Sequence, residues 1–276
     1  MKKDPSPRSF EMEIDLQATP EVVWQALTDP AQLVRWFPVQ ARVRPGEGGE
    51  VVWSWGEVHE WPQTIEVWEP GRRLRTRYES GVEGKAGKVP LFCDFEIEGR
   101  GGSTRLRFVH SGFGPESDFD GEFDGISRGW PVELRSLRHY LELHRGQERQ
   151  LAWAVRDTDL SLDEAWKRLT GPEGLDCGAA IAELDEGQSF RIPLPADLGG
   201  DVLTGRALKC QTREFSGVAE SHGDAFVRIS AENCGDKNGA WLWLALYGAG
   251  AAERDRYQVG FEALLQRIFA GTGVEA

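Results

Sequence analysis

One segment near the start of the chain recurs in its second half, and this repeat constrains the fold more than any other feature. Residues 19–33, TPEVVWQALTDPAQL, align with residues 161–175, SLDEAWKRLTGPEGL, and five of the fifteen positions are identical. Each copy opens on a hydroxyl residue with an acid two positions later, as at the N-terminus of a helix. In a chain of 276 residues, such a repeat predicts two copies of one domain.

The two halves also share an order of predicted elements. Over residues 10–16, apolar residues alternate with acids, which predicts a strand with one buried face. Both halves contain five further candidate strands and end on an apolar helix stripe at spacing i, i+4, i+7 and i+11. The stripes are Trp130, Leu134, Leu137 and Leu141, and then Tyr257, Phe261, Leu264 and Ile268. We therefore predict the α+β class, with two domains that each wrap a curved antiparallel sheet around a long C-terminal helix.

The boundaries follow from the same pattern. We predict a disordered N-terminal tail over residues 1–8, a first domain over 9–146 and a second domain over 149–273. The stretch Gly146–Arg149 lies between the first stripe and the next alternating run.

Composition excludes several classes of partner. The net charge of −13 argues against nucleic acid and against anionic membrane surfaces. There is no run of 18 apolar residues, so we predict no transmembrane helix. The N-terminus lacks the apolar core of a signal peptide, and the four cysteines are scattered. These features predict a cytoplasmic protein with reduced thiols.

The sequence carries no motif for a cofactor, a metal or a common catalytic site. H-E-x-x-H, G-x-S-x-G and the P-loop are all missing. Residues 116–125 contain five acids but lack the glycine that a calcium loop needs at its sixth position. We predict no metal and no cofactor, and we interpret this segment as a mobile acidic lid before the last helix.

Alternation within the candidate strands divides their side chains between two faces. In residues 72–78, 91–98 and 104–110, the apolar residues share one parity, which we assign to the inside. The outward parity carries arginines on two strands and acids on the third. We interpret this face as a cross-strand charge ladder, with an anion site as the alternative.

The inward residues of the first domain are mostly aromatic, as in a pocket for a flat hydrophobic ligand. Several tryptophans of the same hairpin region have no evident structural role. The candidate ligand-binding residues are Trp53, Trp55, Trp61, Trp68, Tyr78, Phe95, Phe108, His110 and Phe113. The alternative, that these side chains simply fill the core, stays open.

His110 is the one inward histidine, and it precedes the flexible turn Ser111–Gly114. We favour a structural role in which it hydrogen-bonds the backbone of that turn. A polar anchor for a ligand and a general base are the alternatives.

Three separated motifs resemble a known family. They lie at Thr19–Phe37, at His110–Gly114 and at Gly129–Leu141, and the similarity covers residues 9–145. This part resembles the SRPBCC (START-like) superfamily, in the branch named after the activator of the heat shock protein 90 ATPase. The resemblance implies a helix-grip fold with a cavity between sheet and helix, often used for hydrophobic small molecules. The second half resembles a diverged copy that lacks the H-S-G-F-G motif.

Three functions follow as hypotheses. The first, which we favour, is a non-enzymatic protein that binds a hydrophobic or aromatic small molecule in the first domain. The second is a chaperone-modulating or other protein-interaction module. The third is a cyclase- or hydrolase-type enzyme, for which His110, Tyr78 and Thr76 are the only inward polar candidates. The apolar run Trp241–Tyr247 further predicts a strand at an interface, between the domains or in a homodimer.

Overall fold

The computed structural model describes residues 7–84, 87–115, 117–234 and 237–271. The chain divides into two compact units, Met1–Arg145 and Gly146–Ala276. We call them the first and the second domain. Each is described by itself below.

The first domain is a seven-stranded antiparallel sheet with one long helix after its last strand. Its strands run in the order β1-β7-β6-β5-β4-β3-β2, so the first strand pairs with the last. The elements are β1 (Arg8–Leu16), α1 (Pro20–Thr28), α2 (Pro30–Leu33), β2 (Gln40–Arg44), β3 (Glu50–Ser54), β4 (Glu60–Glu69), β5 (Arg73–Gly84), β6 (Gly87–Arg100), β7 (Ser103–Phe113) and α3 (Asp120–Leu143).

The second domain repeats this plan with one strand fewer. Its six-stranded sheet has the order β8-β13-β12-β11-β10-β9, again with the first strand beside the last. The elements are β8 (Arg149–Thr158), α4 (Leu162–Thr170), α5 (Gly178–Ile181), β9 (Ser189–Pro193), β10 (Val202–Gln211), β11 (Glu214–Ala219), β12 (Ala225–Cys234), β13 (Lys237–Tyr247) and α6 (Ala251–Ile268). The predicted α+β class with two helix-grip domains is confirmed.

Strand β1 begins inside the tail predicted for residues 1–8. Arg8 is its first residue, and its guanidinium donates to the carbonyl oxygen of Gly114 at 3.0 Å. Residues 1–6 of the predicted tail lie outside the described residues.

The repeated helices α1 and α4 start in different ways. Ser161 caps α4 in a capping box: its hydroxyl accepts from the backbone of Glu164, whose carboxylate accepts from the backbone of Ser161. Thr19 occupies the same position before α1 but makes no capping hydrogen bond with its side chain. The shared pattern therefore predicted both helices, and only one of them has a side-chain cap.

The outer face of the first sheet carries the predicted charge ladder. Asp94 is nearly buried and accepts from Arg73 at 3.0 and 2.7 Å and from Arg75 at 3.1 Å. Further pairs link β1, β6 and β7, namely Arg107 with Glu11 and Glu96, and Arg105 with Glu13 and Asp15. Since these arginines all have carboxylate partners, the ladder interpretation is confirmed over an anion site.

The acidic segment before the last helix is not the predicted lid. Glu116 lies outside the described residues, but α3 already begins at Asp120, ten positions before Trp130. Acids in the first turn of a helix are favourable because the N-terminal end of the helix dipole is positive. Glu122 also accepts a hydrogen bond from Ser80 at 2.6 Å. The acids thus start the helix rather than form a loop in front of it.

The apolar run at Trp241–Tyr247 lies in β13, between β8 and β12. Trp153 of β8 stacks on Trp241 with ring centroids 6.0 Å apart and lies at the same distance from Trp243. All three indoles are partly exposed. The interface role of this strand stays a prediction.

In the described part of the chain, no helix is both long and apolar enough to cross a membrane.

Candidate functional site

Five aromatic side chains meet on the inner face of the first sheet. Trp53 of β3 lies directly opposite Trp61 of β4, and their ring centroids are 5.4 Å apart. The Trp61 ring also lies 4.9 Å from Tyr78 of β5 and 6.0 Å from His110 of β7. Trp130 of α3 packs on Trp53 at 5.8 Å. We call these five residues the aromatic cluster.

Four more of the candidate residues border this cluster. Phe108 and Phe95 contact Trp130, with ring centroids 4.1 and 5.8 Å away. Phe113 lies 5.0 Å from His110. Trp55, on the rim beside the cluster, contacts Phe37 at 5.4 Å and is only partly buried. Eight of the nine candidate residues are therefore in or beside one cluster.

Trp68 is the candidate that the structure places elsewhere. A β-bulge at Glu66 shifts the register of β4, so that Trp68 lies opposite Leu74. Its ring meets Trp24 of α1 edge-on at 4.9 Å. Trp68 therefore packs against α1, away from the aromatic cluster, and is only partly buried.

His110 is fixed by two side chains rather than by the turn that follows it. The indole Nε1–H of Trp130 donates to His110 Nδ1 at 3.0 Å, and His110 Nε2 lies 2.8 Å from the Tyr78 hydroxyl. An indole can only donate, so Nδ1 carries no proton and Nε2 must carry it. His110 therefore donates from Nε2 to the Tyr78 oxygen. The expectation that His110 bonds the backbone of the turn was wrong, because Trp130 and Tyr78 occupy both nitrogens.

Burial keeps the titratable groups of this cluster uncharged. His110 is fully buried, and desolvation lowers its pKa to about 3. Desolvation also raises the pKa of the Tyr78 hydroxyl far above its usual range. The Cys93 thiol lies 3.9 Å from both ring nitrogens of His110, and burial raises its pKa as well. At neutral pH, the site therefore consists of a neutral imidazole, a phenol and a thiol.

Sequence reasoning missed Gln63, which belongs to the same face. It lies on β4, two residues after Trp61, and is only 2% exposed. Its Oε1 accepts a hydrogen bond of 2.6 Å from the Thr76 hydroxyl. The parity that it shares with Trp61 and Ile65 was the available signal. It was overlooked because the inward set was chosen for apolar residues.

Two buried donors of this face have no acceptor among the described residues. They are the indole Nε1–H of Trp53 and the amide Nε2 of Gln63. Buried polar groups in native proteins are nearly always hydrogen-bonded, to protein, water or ligand. These two atoms therefore mark a place where a group from outside the chain is expected.

The described residues offer no arrangement typical of a metal site. No three His, Cys, Asp or Glu side chains within them lie close enough together to hold an ion.

Grooves on the second domain differ from the aromatic cluster in chemistry. One groove of about 490 Å³ follows α4 and is lined by charged and small residues, among them Glu164, Lys167 and Arg168.

Comparison with known proteins gives a family for the first domain. Residues 17–142 match the family described as "Activator of Hsp90 ATPase homolog 1-like protein". No curated protein matches the chain significantly.

Solved structures with a similar fold come from several sources. A protein from Mesorhizobium loti is 24% identical over 49% of this chain and 97% of its own, with a TM-score of 0.43. The Aha1 dimer from Colwellia psychrerythraea is 21% identical over 50% of this chain and 99% of its own, also at 0.43. DynU16, from the dynemicin biosynthetic locus, is 17% identical over 96% of this chain and 98% of its own, again at 0.43.

By sheet order and C-terminal helix, both halves of the chain are helix-grip domains. Within the first of them, residues 17–142 match the activator-of-Hsp90-ATPase family, the branch that the sequence motifs resemble. The resemblance inferred from three sequence motifs is thus confirmed.

Proposed function

We propose that the first domain binds a flat, apolar small molecule at the aromatic cluster. The observation that supports this best is the position of Trp61. Its ring contacts Trp53, Tyr78 and His110, which are all buried, yet Trp61 itself is only partly buried. A ligand that displaces this one ring gains contact with three others.

The surroundings of Trp61 suit such an exchange. The hairpin between β3 and β4 joins Trp55 to Trp61, and its residues 56–60 are exposed. Val58, at its tip, is among the few exposed large apolar side chains of the described chain. Loops with few buried contacts open at low cost in free energy. We therefore expect a ligand to reach the aromatic cluster at this hairpin. Aromatic faces next to it would stack on a flat ligand.

The structure favours binding over catalysis at His110. A general base needs a ring nitrogen within reach of the substrate proton. In His110, Nδ1 accepts from Trp130, and Nε2 already carries its proton and donates it to Tyr78. His110 therefore orients its neighbours, and the enzyme hypothesis loses its main candidate.

The chaperone-modulating alternative rests on the family match alone. It stays a prediction, as do a protein partner, a homodimer and the cytoplasmic location.

Equilibrium dialysis with 2-ethylnaphthalene, a flat and purely apolar probe, tests the proposal. The full chain should bind it saturably, and Trp61→Ala, which vacates the position that the ligand takes, should strengthen binding about fivefold, because the ligand then displaces no aromatic contact worth about 1 kcal/mol. Trp68→Ala is the matched control, since its ring packs on Trp24 instead, and it should leave the affinity unchanged. Absence of saturable binding, or the same affinity in Trp61→Ala as in Trp68→Ala, would refute the proposal.

A further inference from the structure

The proposed ligand site holds more hydrogen-bond donors than the protein can satisfy. The indole Nε1–H of Trp53 and the side-chain NH₂ group of Gln63 have no acceptor in the described residues. Both side chains are only 2% exposed. A buried donor without a partner destabilises the fold, so two of them on one face are unfavourable unless something binds them.

The hydrogen bonds of His110 create a third donor. Since His110 Nε2–H donates to the Tyr78 oxygen, the phenolic hydrogen cannot point back at that nitrogen. Within the described residues, the Tyr78 hydroxyl has no other hydrogen-bond partner. Its hydrogen is therefore also free to donate.

These three donors lie around one ring. Trp53 is the cross-strand partner of Trp61, Tyr78 contacts the Trp61 ring at 4.9 Å, and Gln63 follows Trp61 by two residues on the same strand face. The hydrogen bond from Thr76 holds Gln63 Oε1 and so fixes which way its amide turns. A ligand in the place of Trp61 would meet all three donors.

The charges around the site select a neutral ligand. The arginines of β5 and β7 lie on the outer face, where Asp94 and the other acids of the ladder bind them. His110 is uncharged. The pKa of the Tyr78 hydroxyl is raised first by burial, then by Cys93 and then by the carboxylate of Glu122. A carboxylate here would be buried without a cation, which is strongly unfavourable. A neutral oxygen acceptor has no such penalty.

Resting on the proposed function, we propose that the ligand is a neutral, planar molecule with a carbonyl oxygen. The Nε1–H of Trp53, the side-chain amide of Gln63 and the Tyr78 hydroxyl are the donors available to that oxygen, and the aromatic cluster stacks on its flat body. The class includes aryl ketones and quinone-like compounds. It excludes aryl acids and plain aromatic hydrocarbons as the preferred ligands.

Three probes of nearly equal size test this inference by equilibrium dialysis against the full chain at neutral pH. They are 2-acetonaphthone (a ketone), 2-ethylnaphthalene (a hydrocarbon) and 2-naphthoate (an anion). The ketone should bind about fivefold more tightly than the hydrocarbon, because one net hydrogen bond contributes about 1 kcal/mol. The anion should bind most weakly of the three.

Two variants assign the preference to Gln63. Gln63→Leu removes one of the three donors and should reduce the ratio of ketone affinity to hydrocarbon affinity. Thr76→Val is the matched comparison, since it breaks the same Thr76–Gln63 hydrogen bond but keeps the donor, and it should reduce the ketone preference less than Gln63→Leu does. Trp53→Phe is the second variant, and it is used if Gln63→Leu fails to fold. It removes the indole N–H donor but keeps one aromatic ring at this position.

The outcomes separate this inference from the function on which it rests. Equal binding of ketone and hydrocarbon, or a ketone preference that survives both donor variants, would refute the inference and leave the proposed function standing. Tightest binding by 2-naphthoate would refute the neutral ligand. If even the hydrocarbon fails to bind, the proposed function is refuted, and the inference with it.

Discussion

The indole of Trp130 donates to Nδ1 of His110 at 3.0 Å and so determines which nitrogen of the imidazole carries the proton. Trp130 lies ten residues inside α3, and His110 lies near the end of β7. The helix thereby sets the direction of a hydrogen-bond chain on the sheet. The chain runs from Trp130 through His110 to Tyr78 and leaves the phenolic hydrogen free.

Acid should weaken the first domain through His110. Its pKa is about 3 in the folded chain and about 6.5 when unfolded. Between these values only the unfolded state takes up the proton, so stability is full above pH 6.5 and falls as the pH drops. The loss approaches about 1.4 kcal/mol per pH unit in this window.

Urea unfolding of the full chain between pH 4.5 and 7.5 measures this slope. His110→Gln, which can still accept from Trp130 and donate to Tyr78, should flatten it. His59→Gln should keep most of it, because burial lowers the pKa of His59 too but its side chain is largely exposed in the hairpin. Identical slopes in wild type and His110→Gln would show that His110 is not the responsible group.

Much of the first domain follows from sequence, because strand alternation is a strong signal where one face is buried. Inward residues such as Cys93, Phe95 and Phe108 were placed correctly from parity, and so were the outward arginines. Trp68 was a candidate only because no structural role was evident for it, and its contact with Trp24 beyond the bulge at Glu66 could not be seen in the sequence.

Contacts between distant elements were beyond sequence reasoning. The partners of His110 are 32 and 20 residues away, so the local expectation of a bond to the adjacent turn was the wrong one. The start of α3 was misplaced because glycines at 121, 125 and 129 weaken the helical pattern there. Gln63 was missed because a polar residue was not expected on an apolar face.

The turn at Gly112 should tolerate no side chain. Its φ is +104°, and a Cβ there would lie 2.5 Å from the carbonyl oxygen of Pro90. Gly112→Ala combines backbone strain with a clash against backbone, so we expect a loss of about 2 kcal/mol or more in the free energy of unfolding. Gly81→Ala, where a Cβ meets nothing within 4 Å, is the control. Equal stability of the two variants would contradict this account of the turn.

The nearly buried Asp94 should be the strongest member of the charge ladder. Arg73 holds both of its oxygens and Arg75 adds a third contact. Asp94→Asn should cost about 1.5–3 kcal/mol, the usual value for hydrogen bonds to charged groups. The effect should persist in 1 M NaCl, because a buried pair is screened little.

Arg107→Gln is the matched comparison, since Arg107 and its acids are well exposed. Its smaller effect should vanish in 1 M NaCl. Urea unfolding at both salt concentrations provides the test, and a salt-sensitive loss in Asp94→Asn would contradict the burial argument.

The two copies of the repeated helix should respond differently to loss of the hydroxyl that precedes them. Ser161→Ala removes a capping box and should cost about 1 kcal/mol in the second domain. Thr19→Ala should cost less, because Thr19 makes no capping hydrogen bond with its side chain. Calorimetric unfolding of both variants checks this, and an equal cost would mean that the cap is not the source of the difference.

The most direct test of the central claim follows the indole N–H signals of the eleven tryptophans in a ¹H–¹⁵N spectrum during titration with 2-acetonaphthone. If the first domain binds flat ligands at the aromatic cluster, the signals of Trp53, Trp61 and Trp130 should move and saturate together. Those of Trp166, Trp241 and Trp243 in the second domain should stay in place. Signals that do not move, or that move only in the second domain, would contradict the claim.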